Sequence, residues 1–296
     1  MAKTREQTRI GISGWTYAPW RGTFYPKGLK HREALAYASR KLNSIEINGT
    51  FYSLQRPKSF SQWYAQTPDD FVFAVKGGRY ITHMKRLKNV EAALANFFAS
   101  GVLRLEEKLG PILWQLPPNF KFDADQLKSF FEQLPRDTAA AAKLAQKHES
   151  FLKGRVWMDV QKKRPLRYAL EVRHESFRTP QLIKLLRKHR IALCIADTAG
   201  KWPFMVDGTA DFLYIRLHGD EKIYVSGYSE QALDAWAKKI HAWRNGREPA
   251  SAVRVADQSG AKRKRRDIFV YFDNDVKVRS PVDAMSLAKK LSGLVA

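Results

Sequence analysis

The chain has 296 residues, of which 44% are hydrophobic, and 52 Lys and Arg against 29 Asp and Glu give it a formal net charge of +23. This hydrophobic fraction argues against a disordered chain, and no run approaches the roughly 18 apolar residues of a membrane helix. The single cysteine, Cys194, excludes an internal disulfide, and since residues 1–9 lack the apolar core of a secretion signal, we expect a cytoplasmic protein without membrane insertion.

Short apolar runs of strand length recur along the chain and alternate with segments of helical periodicity. Eight such runs are present, at Arg9–Ser13, Ser44–Asn48, Phe71–Lys76, Ile112–Leu116, Arg167–Val172, Ala192–Ala196, Phe212–Leu217 and Ile268–Phe272. Strands that alternate with helices predict βαβ units and a parallel sheet, and eight is the strand number of a TIM barrel. We therefore predict an α/β fold in which residues 8–295 form a single (β/α)8 TIM-barrel domain.

Apolar residues at helical spacing predict seven helices. They are His31–Lys41, Asn89–Ser100, Asp123–Leu134, Thr138–Glu149, Thr179–His189, Ser229–Arg244 and Pro281–Leu291. Ser229 is suited to cap its helix and Pro281 to a first helical turn. Residues 198–211, between the sixth and seventh strands, contain Gly and Pro and predict an irregular connection.

Two basic insertions stand out, at about residues 136–165 and 253–266, and the second contains the run Lys262–Arg266. Both lie between a helix and the following strand, which places them on the N-terminal face of a barrel, opposite the usual active site. A strong positive charge favours anionic partners such as phosphorylated metabolites or nucleic acid. A solvated loop that keeps the protein soluble is the other interpretation of the run.

Polar side chains gather where the apolar strands end. Because side chains alternate between the two faces of a strand, Glu46 shares a face with Asn48, Glu171 with Arg173, and Arg216 with His218. The predicted catalytic residues are Glu46, Glu171, His174, Asp197 and His218. The predicted substrate-binding residues are Trp15, Asn48, Tyr52, Lys76, His83, Gln115, Arg173, Arg216 and Asn274. An internal salt-bridge network, in which Lys76, Arg173 and Arg216 neutralise Glu46 and Glu171, is the structural alternative.

Several well-known catalytic motifs are absent from the sequence. It contains no Walker-type phosphate loop, no dinucleotide-binding fingerprint and no H-E-x-x-H zinc motif. Three histidines and three carboxylates are of the types that bind a divalent metal, namely His83, His174, His218, Glu46, Glu171 and Asp197. No pair has a diagnostic spacing, so the sequence leaves the metal and any cofactor undetermined.

Motifs spread along the chain resemble a known family. They are Gly11–Trp15, Trp20–Gly22, Phe24–Pro26, Glu46–Asn48, Thr50–Tyr52, Phe73–Lys76, Arg79–His83, Gln115–Pro118, Glu171–His174 and Arg216–Gly219. With these motifs the chain resembles, from about residue 9 to residue 295, the domain of unknown function 72 family (YecE-like). The resemblance implies a TIM barrel and no particular activity. The chain has Asp273 where the family commonly has asparagine, and an extra carboxylate there would change the charge balance of the site.

Three functions fit these patterns. The first is an enzyme, of a hydrolase, lyase or isomerase type, that binds the phosphate or carboxylate of an anionic substrate through Lys76, Arg173 and Arg216. Its acid and base would be Glu46 or Glu171, with His174 or His218 moving protons. The second is a non-catalytic protein that binds nucleic acid through its basic surface. The third is a barrel that senses a small anion without turning it over. The oligomeric state is undetermined.

Overall fold

Eight parallel strands close into a barrel in chain order, from β1 to β8 and back to β1. The computed structural model describes residues 7–249, 253–256, 266–274 and 278–294. The strands are β1 Thr8–Ser13, β2 Ser44–Ile47, β3 Val72–Lys76, β4 Leu109–Gln115, β5 Tyr168–Glu171, β6 Ile191–Asp197, β7 Phe212–Leu217 and β8 Asp267–Phe272. The eight-stranded barrel predicted from the sequence is therefore confirmed, and each strand lies within a few residues of its predicted position.

Helices surround the barrel and connect its strands. They are α1 Ala34–Ala38, α2 Gly49–Tyr52, α3 Pro57–Gln66, α4 Glu91–Ala99, α5 Ala124–Gln133, α6 Thr138–Ala145, α7 Pro180–His189, α8 Glu230–Arg244 and α9 Arg279–Gly293. Seven of them correspond to the predicted helices, and the Ser229 side chain caps α8 by accepting from the backbone N–H of Ala232. No helix in the described parts of the chain is long and apolar enough to cross a membrane.

The helices α2 and α3 follow β2 and were not predicted. Helix α2 has only four residues, and α3 buries Phe60 alone among its side chains, so its apolar stripe is weak. The sequence contains one indication of α3, namely Pro57 in its first turn. Proline is tolerated there because a backbone N–H at that position would have no intrahelical partner. Helix α2 matters for the site because it places Phe51 over the end of β3.

Side-chain alternation divides each strand into a helix-facing side and a barrel-facing side. Large side chains from β7 and β8 fill the middle of the barrel, where the Tyr214 and Tyr271 rings lie 5.3 Å apart and are fully buried. Their hydroxyl groups reach β2, where Tyr214 bonds to Glu46 and Tyr271 lies 2.7 Å from the Ser44 hydroxyl. Small residues of the other strands, such as Ala74 and Ala169, join the same buried cluster. The two tyrosines form an aromatic floor beneath the carboxyl ends of the strands.

The first basic insertion connects α5 to the N-terminal end of β5 and packs on the outside of the barrel. Its helix α6 contacts α4, and Asn96 exchanges hydrogen bonds with Glu149. In the second insertion, residues Lys262–Arg265 of the basic run lie outside the described residues. Arg266, the last residue of that run, is buried and pairs with Glu248 at 3.2 Å. This arginine therefore has a structural role rather than that of a solvated surface charge.

Candidate functional site

Arg216 is the centre of a buried group of charged side chains at the carboxyl ends of the strands. Its Nη1 lies 2.8 Å from Oε2 of Glu171, and its Nη2 lies 2.9 Å from Oε1 of Glu46 and 2.8 Å from Oδ2 of Asp273. Arg216, Glu46 and Glu171 are fully buried. We call this group, with the side chains bonded to it, the ionic cluster; its members are Ser13, Glu46, Glu171, Arg173, Tyr214, Arg216, His218 and Asp273.

Strand alternation brings the cluster together. Glu46 follows Ser44 on the inner side of β2, while Ile45 and Ile47 pack outward in the main core. Its Oε1 accepts from the Ser13 hydroxyl at 2.8 Å, and its Oε2 accepts from the Tyr214 hydroxyl at 2.5 Å. Both carboxylate oxygens of Glu46 are therefore occupied by protein donors.

His218 is held between two members of the cluster. Its Nδ1 lies 3.2 Å from Oδ2 of Asp273, and its Nε2 lies 3.4 Å from Nη1 of Arg216. Because a guanidinium only donates, this arrangement favours the tautomer that carries its proton on Nδ1. Burial, together with the positive charge of Arg216, lowers the pKa of His218, which keeps the imidazole neutral at neutral pH.

The electrostatics of the cluster keep its charges fixed. Burial favours the neutral form of Glu171, but the charges of Arg173 and Arg216 outweigh it and hold the pKa of this carboxyl well below its ordinary range. Asp273 follows the same pattern, with Arg216 and the hydrogen bond to His218 lowering its pKa. Burial would lower the pKa of Arg216, yet the carboxylates of Glu46, Glu171 and Asp273 raise it. Glu171, Asp273 and Arg216 are therefore charged at neutral pH.

Lys76 ends β3 on the same inner side but stands apart from these ion pairs. It is only 8% exposed, and its Nζ lies 4.3 Å from the centre of the Phe51 ring. Among the described residues, none accepts a hydrogen bond from its ammonium group. Burial, and then the positive charge of Arg216, lower the pKa of Lys76 to about 8, against the opposing effect of Glu46, Asp273 and Glu171.

Two amide side chains flank Lys76 on the neighbouring strands. Asn48 follows β2, whose residue Ile47 pairs with Val75 of β3, and Gln115 ends β4. The Oδ1 atom of Asn48 and the Oε1 atom of Gln115 are both buried, and neither has a hydrogen-bond partner among the described residues. Buried polar atoms are rarely left unpaired, so this side of the barrel mouth has unused hydrogen-bonding capacity.

His83 lies beside Lys76 and packs edge-to-face on the Phe51 ring, with ring centres 5.1 Å apart. Its Nδ1 is 2.9 Å from the Thr82 hydroxyl. Burial, and then the charges of Lys76 and Arg173, lower the pKa of His83 to about 4, so it is neutral at neutral pH. We call the set Asn48, Lys76, His83 and Gln115 the open side of the mouth, in contrast to the ionic cluster.

Arg173 connects the two regions. Its Nε and Nη2 pair with Oε1 of Glu171 at 2.7 Å, and its Nη2 also donates to the Tyr224 hydroxyl at 3.3 Å. The guanidinium carbon lies 3.8 Å from the centre of the Trp202 ring. Its Nη1 group has no partner among the residues that the structure describes. The Arg173 guanidinium is thus oriented by Glu171, Tyr224 and Trp202, and the two N–H donors of its Nη1 group remain available to a ligand.

Two predicted site residues do not join the others. Asp197 accepts hydrogen bonds from Tyr228 and from Trp236 of α8, each at 3.2 Å. Asn274 donates to Asp283 of α9 at 2.8 Å. Asp197 shares the helix-facing side of β6 with Leu193 and Ile195, and Asn274 continues the helix-facing side of β8. Both side chains connect the barrel to its helices and lie apart from the other predicted site residues.

Three further predicted residues lie around the rim of the mouth. His174 caps a short 3-10 helix, since its Nδ1 accepts from the backbone N–H of Ser176. Trp15 packs edge-to-face on Trp63 at 5.3 Å and lines a cavity of about 160 Å³ formed by the loop after β1. Tyr52 is 70% exposed and packs on Phe51. No described group of three or more His, Cys, Asp and Glu side chains is arranged to hold a metal ion.

The sequence analysis missed several members of the ionic cluster and of the mouth. Strand alternation could have identified Ser13 and Tyr214, because each lies on the inner side of its strand next to a candidate residue. Asp273, the carboxylate that stands where the family commonly has asparagine, is a direct partner of Arg216. Trp202 and Tyr224 come from irregular connections, where strand alternation gives no guide to side-chain direction.

Comparisons with known proteins agree with this architecture. The family described as "Protein of unknown function DUF72" matches residues 9–295. The YecE protein of Escherichia coli K12 is 29% identical over 127 residues, which is 43% of this chain and 44% of that protein, and Bacillus subtilis YunF is 27% identical over 38% and 40%. The aligned stretch thus spans less than half the length of these relatives.

Solved structures show the same fold. A DUF72 family protein from Thermotoga maritima MSB8 superposes with a TM-score of 0.70 at 23% identity and covers 97% of this chain and 99% of its own. A DUF72 family protein from Enterococcus faecalis V583 gives a TM-score of 0.67 at 16% identity, with 97% and 96% covered. At these identities the likeness concerns the fold alone.

Proposed function

Since the chain belongs to the DUF72 family, whose description gives no function, we propose a function from its own site: an enzyme that acts on a small anionic substrate carrying hydroxyl groups, bound at the carboxyl ends of the strands. The observation that carries the proposal is Lys76, whose side chain is largely buried and whose ammonium group finds no hydrogen-bond acceptor among the described residues. The enzyme class, whether hydrolase, lyase or isomerase, is left open by this observation.

An anionic substrate follows from the cost of burying Lys76. A buried charge without a hydrogen-bonded partner is unfavourable, and a phosphate or carboxylate group would supply both the charge and the acceptors. The free Nη1 group of Arg173 offers a second cation on the neighbouring side of the mouth. The Nη1 and Nη2 groups of Arg216 are unavailable for this role because three carboxylates already accept from them.

The two unpaired amide oxygens at the mouth indicate that the substrate carries hydroxyl groups. The oxygens of Asn48 and Gln115 need donors, and hydroxyl groups donate and accept in the same way as the water they would displace. A site that pairs such groups with substrate hydroxyls rejects analogues without them, since its own polar atoms would then stay unpaired. The open side of the mouth therefore favours a hydroxylated anion over a purely apolar one.

The division of the site also assigns roles in proton transfer. His83 and Lys76 are the titratable groups with free positions on the open side, so they are the acid and base that this proposal favours. The interpretation of Glu46 or Glu171 as acid or base stays a prediction, and their ion pairs favour a different role, in which they orient Arg173 and Arg216.

The proposal is tested by ligand-induced thermal stabilisation followed by turnover assays. The panel contains sugar phosphates, sugar acids and hydroxycarboxylates, each with its neutral counterpart. We expect an anionic, hydroxylated compound to raise the melting temperature and to be converted. The Lys76→Met and Gln115→Ala variants lose this stabilisation, and Asp211→Asn, which changes an exposed carboxylate outside the site, keeps it. Stabilisation that is equal for neutral counterparts, or unchanged in Lys76→Met, would overturn the proposal.

The nucleic-acid alternative stays a prediction. It depends mainly on the basic run, of which Lys262–Arg265 lie outside the described residues. Binding through phosphates would weaken steeply as the salt concentration rises. If deletion of the run removes salt-sensitive binding of a single-stranded oligonucleotide, that function is supported independently of the barrel mouth.

A further inference from the structure

Lys76 differs from the other cations of the barrel mouth in its surroundings. Arg216 and Arg173 are fixed by carboxylates, whereas Lys76 has an aromatic ring as its closest described partner. The Thr50 hydroxyl lies 2.7 Å from the carbonyl oxygen of Lys76 and 3.0 Å from that of Ile47, so α2 is tied to the ends of β2 and β3. The backbone of Lys76 is therefore held in place, while no described residue accepts a hydrogen bond from its amino group.

We propose that Lys76 is a nucleophile that forms an imine with the carbonyl group of the anionic, hydroxylated substrate. This inference rests on the proposed function, because it takes the same occupant of the same mouth and adds a covalent step. A buried lysine on a rigid strand, next to another cation and without a carboxylate partner, is in the environment that activates lysine for such chemistry.

The covalent step balances without an external oxidant or reductant. The lone pair of Nζ forms a bond to the carbonyl carbon, and the carbonyl oxygen takes up a proton to give a carbinolamine. The nitrogen then gives up one of its two protons, which is transferred to that hydroxyl group, so the oxygen leaves as water while the nitrogen lone pair forms the C=N bond and the remaining N–H proton stays on the iminium ion. The iminium withdraws electrons from the neighbouring carbon atom, and this favours loss of a proton or cleavage of a carbon–carbon bond there.

Nucleophilic attack needs the neutral amine. With the pKa of Lys76 lowered to about 8, roughly one tenth of the lysine is neutral at pH 7. The charged groups that act on it are Arg216 on one side and Glu46, Asp273 and Glu171 on the other. Arg216 is itself paired with all three carboxylates at 2.8–2.9 Å, so these charges are held in place around Lys76 by the fold.

His83 is placed to exchange protons during this step. It packs on the same Phe51 ring as Lys76, and its Nδ1 is engaged with Thr82. A neutral imidazole accepts the proton that the attacking amine releases and returns it to the departing water. Because His83 contacts the reacting groups in this scheme rather than acting through another residue, we expect its loss to slow imine formation without removing anion binding.

Trapping with borohydride tests the inference. The intact protein is incubated with dihydroxyacetone phosphate, which carries an anion, a hydroxyl group and a carbonyl group, and sodium borohydride is added to reduce any imine to a stable secondary amine. We expect a mass increase equal to the carbonyl compound minus one oxygen atom, mapped to the peptide that contains Lys76. Neutral dihydroxyacetone gives at least tenfold less adduct at the same concentration. Lys85→Arg, which changes an exposed lysine near the mouth, forms the adduct as the wild type does.

The Lys76→Arg variant separates this inference from the proposed function. Arginine keeps the positive charge but does not form an imine, so we expect anion-dependent thermal stabilisation to persist and the adduct to disappear. Wild-type protein that is stabilised by the anions but carries no more adduct at Lys76 than at Lys85 would overturn the imine and leave the proposed function standing. If no anionic compound stabilises the wild type and none forms an adduct, both fail.

A second measurement avoids variants that fold poorly. In the wild type, the rate of adduct formation rises with pH along the titration of Lys76, with a midpoint near 8, while exposed lysines react with a midpoint near that of free lysine, about 10.4. A midpoint at Lys76 that matches the exposed lysines would contradict the inference.

Discussion

The guanidinium of Arg216 and the carboxylate of Glu171 are both fully buried and lie 2.8 Å apart, from Nη1 to Oε2. The pair is extended by Glu46, Asp273 and Arg173, so that carboxylates and guanidiniums alternate across the barrel mouth. Burying such a group of charges costs desolvation free energy. Removing a single member destabilises the fold more than replacing the whole group, because the remaining charges stay buried without a partner.

Loss of the central cation should destabilise the protein strongly. We expect Arg216→Met to lower the free energy of unfolding by about 3–5 kcal/mol, since Glu46 and Glu171 would be left as buried, uncompensated carboxylates. Arg178→Met is the matched control, because Arg178 pairs with Glu175 at 3.1 Å on the surface and should cost less than about 1 kcal/mol. Urea unfolding monitored by fluorescence measures both. Similar losses in the two variants would argue against a structural role for the cluster.

Lys76 should make stability rise with pH. Its pKa is lowered from 10.5 to about 8 in the folded protein, so between these values the unfolded chain binds more protons and folding becomes more favourable as pH rises. The pKa shift of Lys76 raises the free energy of unfolding by at most about 3 kcal/mol over this pH range. The Lys76→Met variant should show no such rise. The variant should also be more stable than the wild type at pH 7, since it removes a buried charge.

The comparison of interest is the difference in unfolding free energy between wild type and Lys76→Met at pH 7, 8, 9 and 10, because other groups titrate equally in both. We expect this difference to shrink steadily as pH rises. A difference that is constant over the series would mean that Lys76 has an ordinary pKa.

Asp273 should contribute stability that is lost in acid. Its pKa lies below the ordinary value of 3.8 in the folded protein, so the contribution is complete above that value and disappears as pH falls through the folded-state pKa. Between pH 5 and pH 3, the wild type should therefore lose about 1–2 kcal/mol more unfolding free energy than Asp273→Asn. Asp211→Asn removes an exposed carboxylate and should follow the wild-type curve. Parallel curves for wild type and Asp273→Asn would count against the ion pair with Arg216.

Gly77 should tolerate no side chain. A Cβ atom at this position would lie 2.2 Å from ring atoms of Trp114, a buried residue of β4. We expect Gly77→Ala to cost about 1–3 kcal/mol of unfolding free energy through overpacking. At Gly49 the closest atom to an added Cβ is 3.5 Å away, in the Gln55 side chain, so Gly49→Ala should stay within about 0.5 kcal/mol of the wild type. An equal response of the two variants would contradict the packing argument.

Periodicity was sufficient to predict the barrel and much of the ionic cluster. The alternation in β2, β5 and β7 places Glu46, Glu171 and Arg216 on the inner side, where the structure has them. The same rule, applied to β6, assigns Asp197 to the outer side with Ile195, which agrees with its contacts to α8. Which cation stays unpaired could not be predicted, because strand alternation gives the side of a residue and not its partners. Arg216 pairs with the carboxylates and Lys76 does not because of where the folded barrel places the two side chains.

The aromatic floor formed by Tyr214 and Tyr271 has a kinetic consequence. Since these fully buried rings fill the barrel beneath the candidate site, the described residues leave no passage through the barrel interior behind it, and we expect exchange at the mouth, past the rim that carries Tyr52. Substrate and product would then compete for one passage, and an incoming molecule could not displace a bound product from behind. For an enzyme built in this way, we expect inhibition by product to be competitive and release to slow turnover once product accumulates.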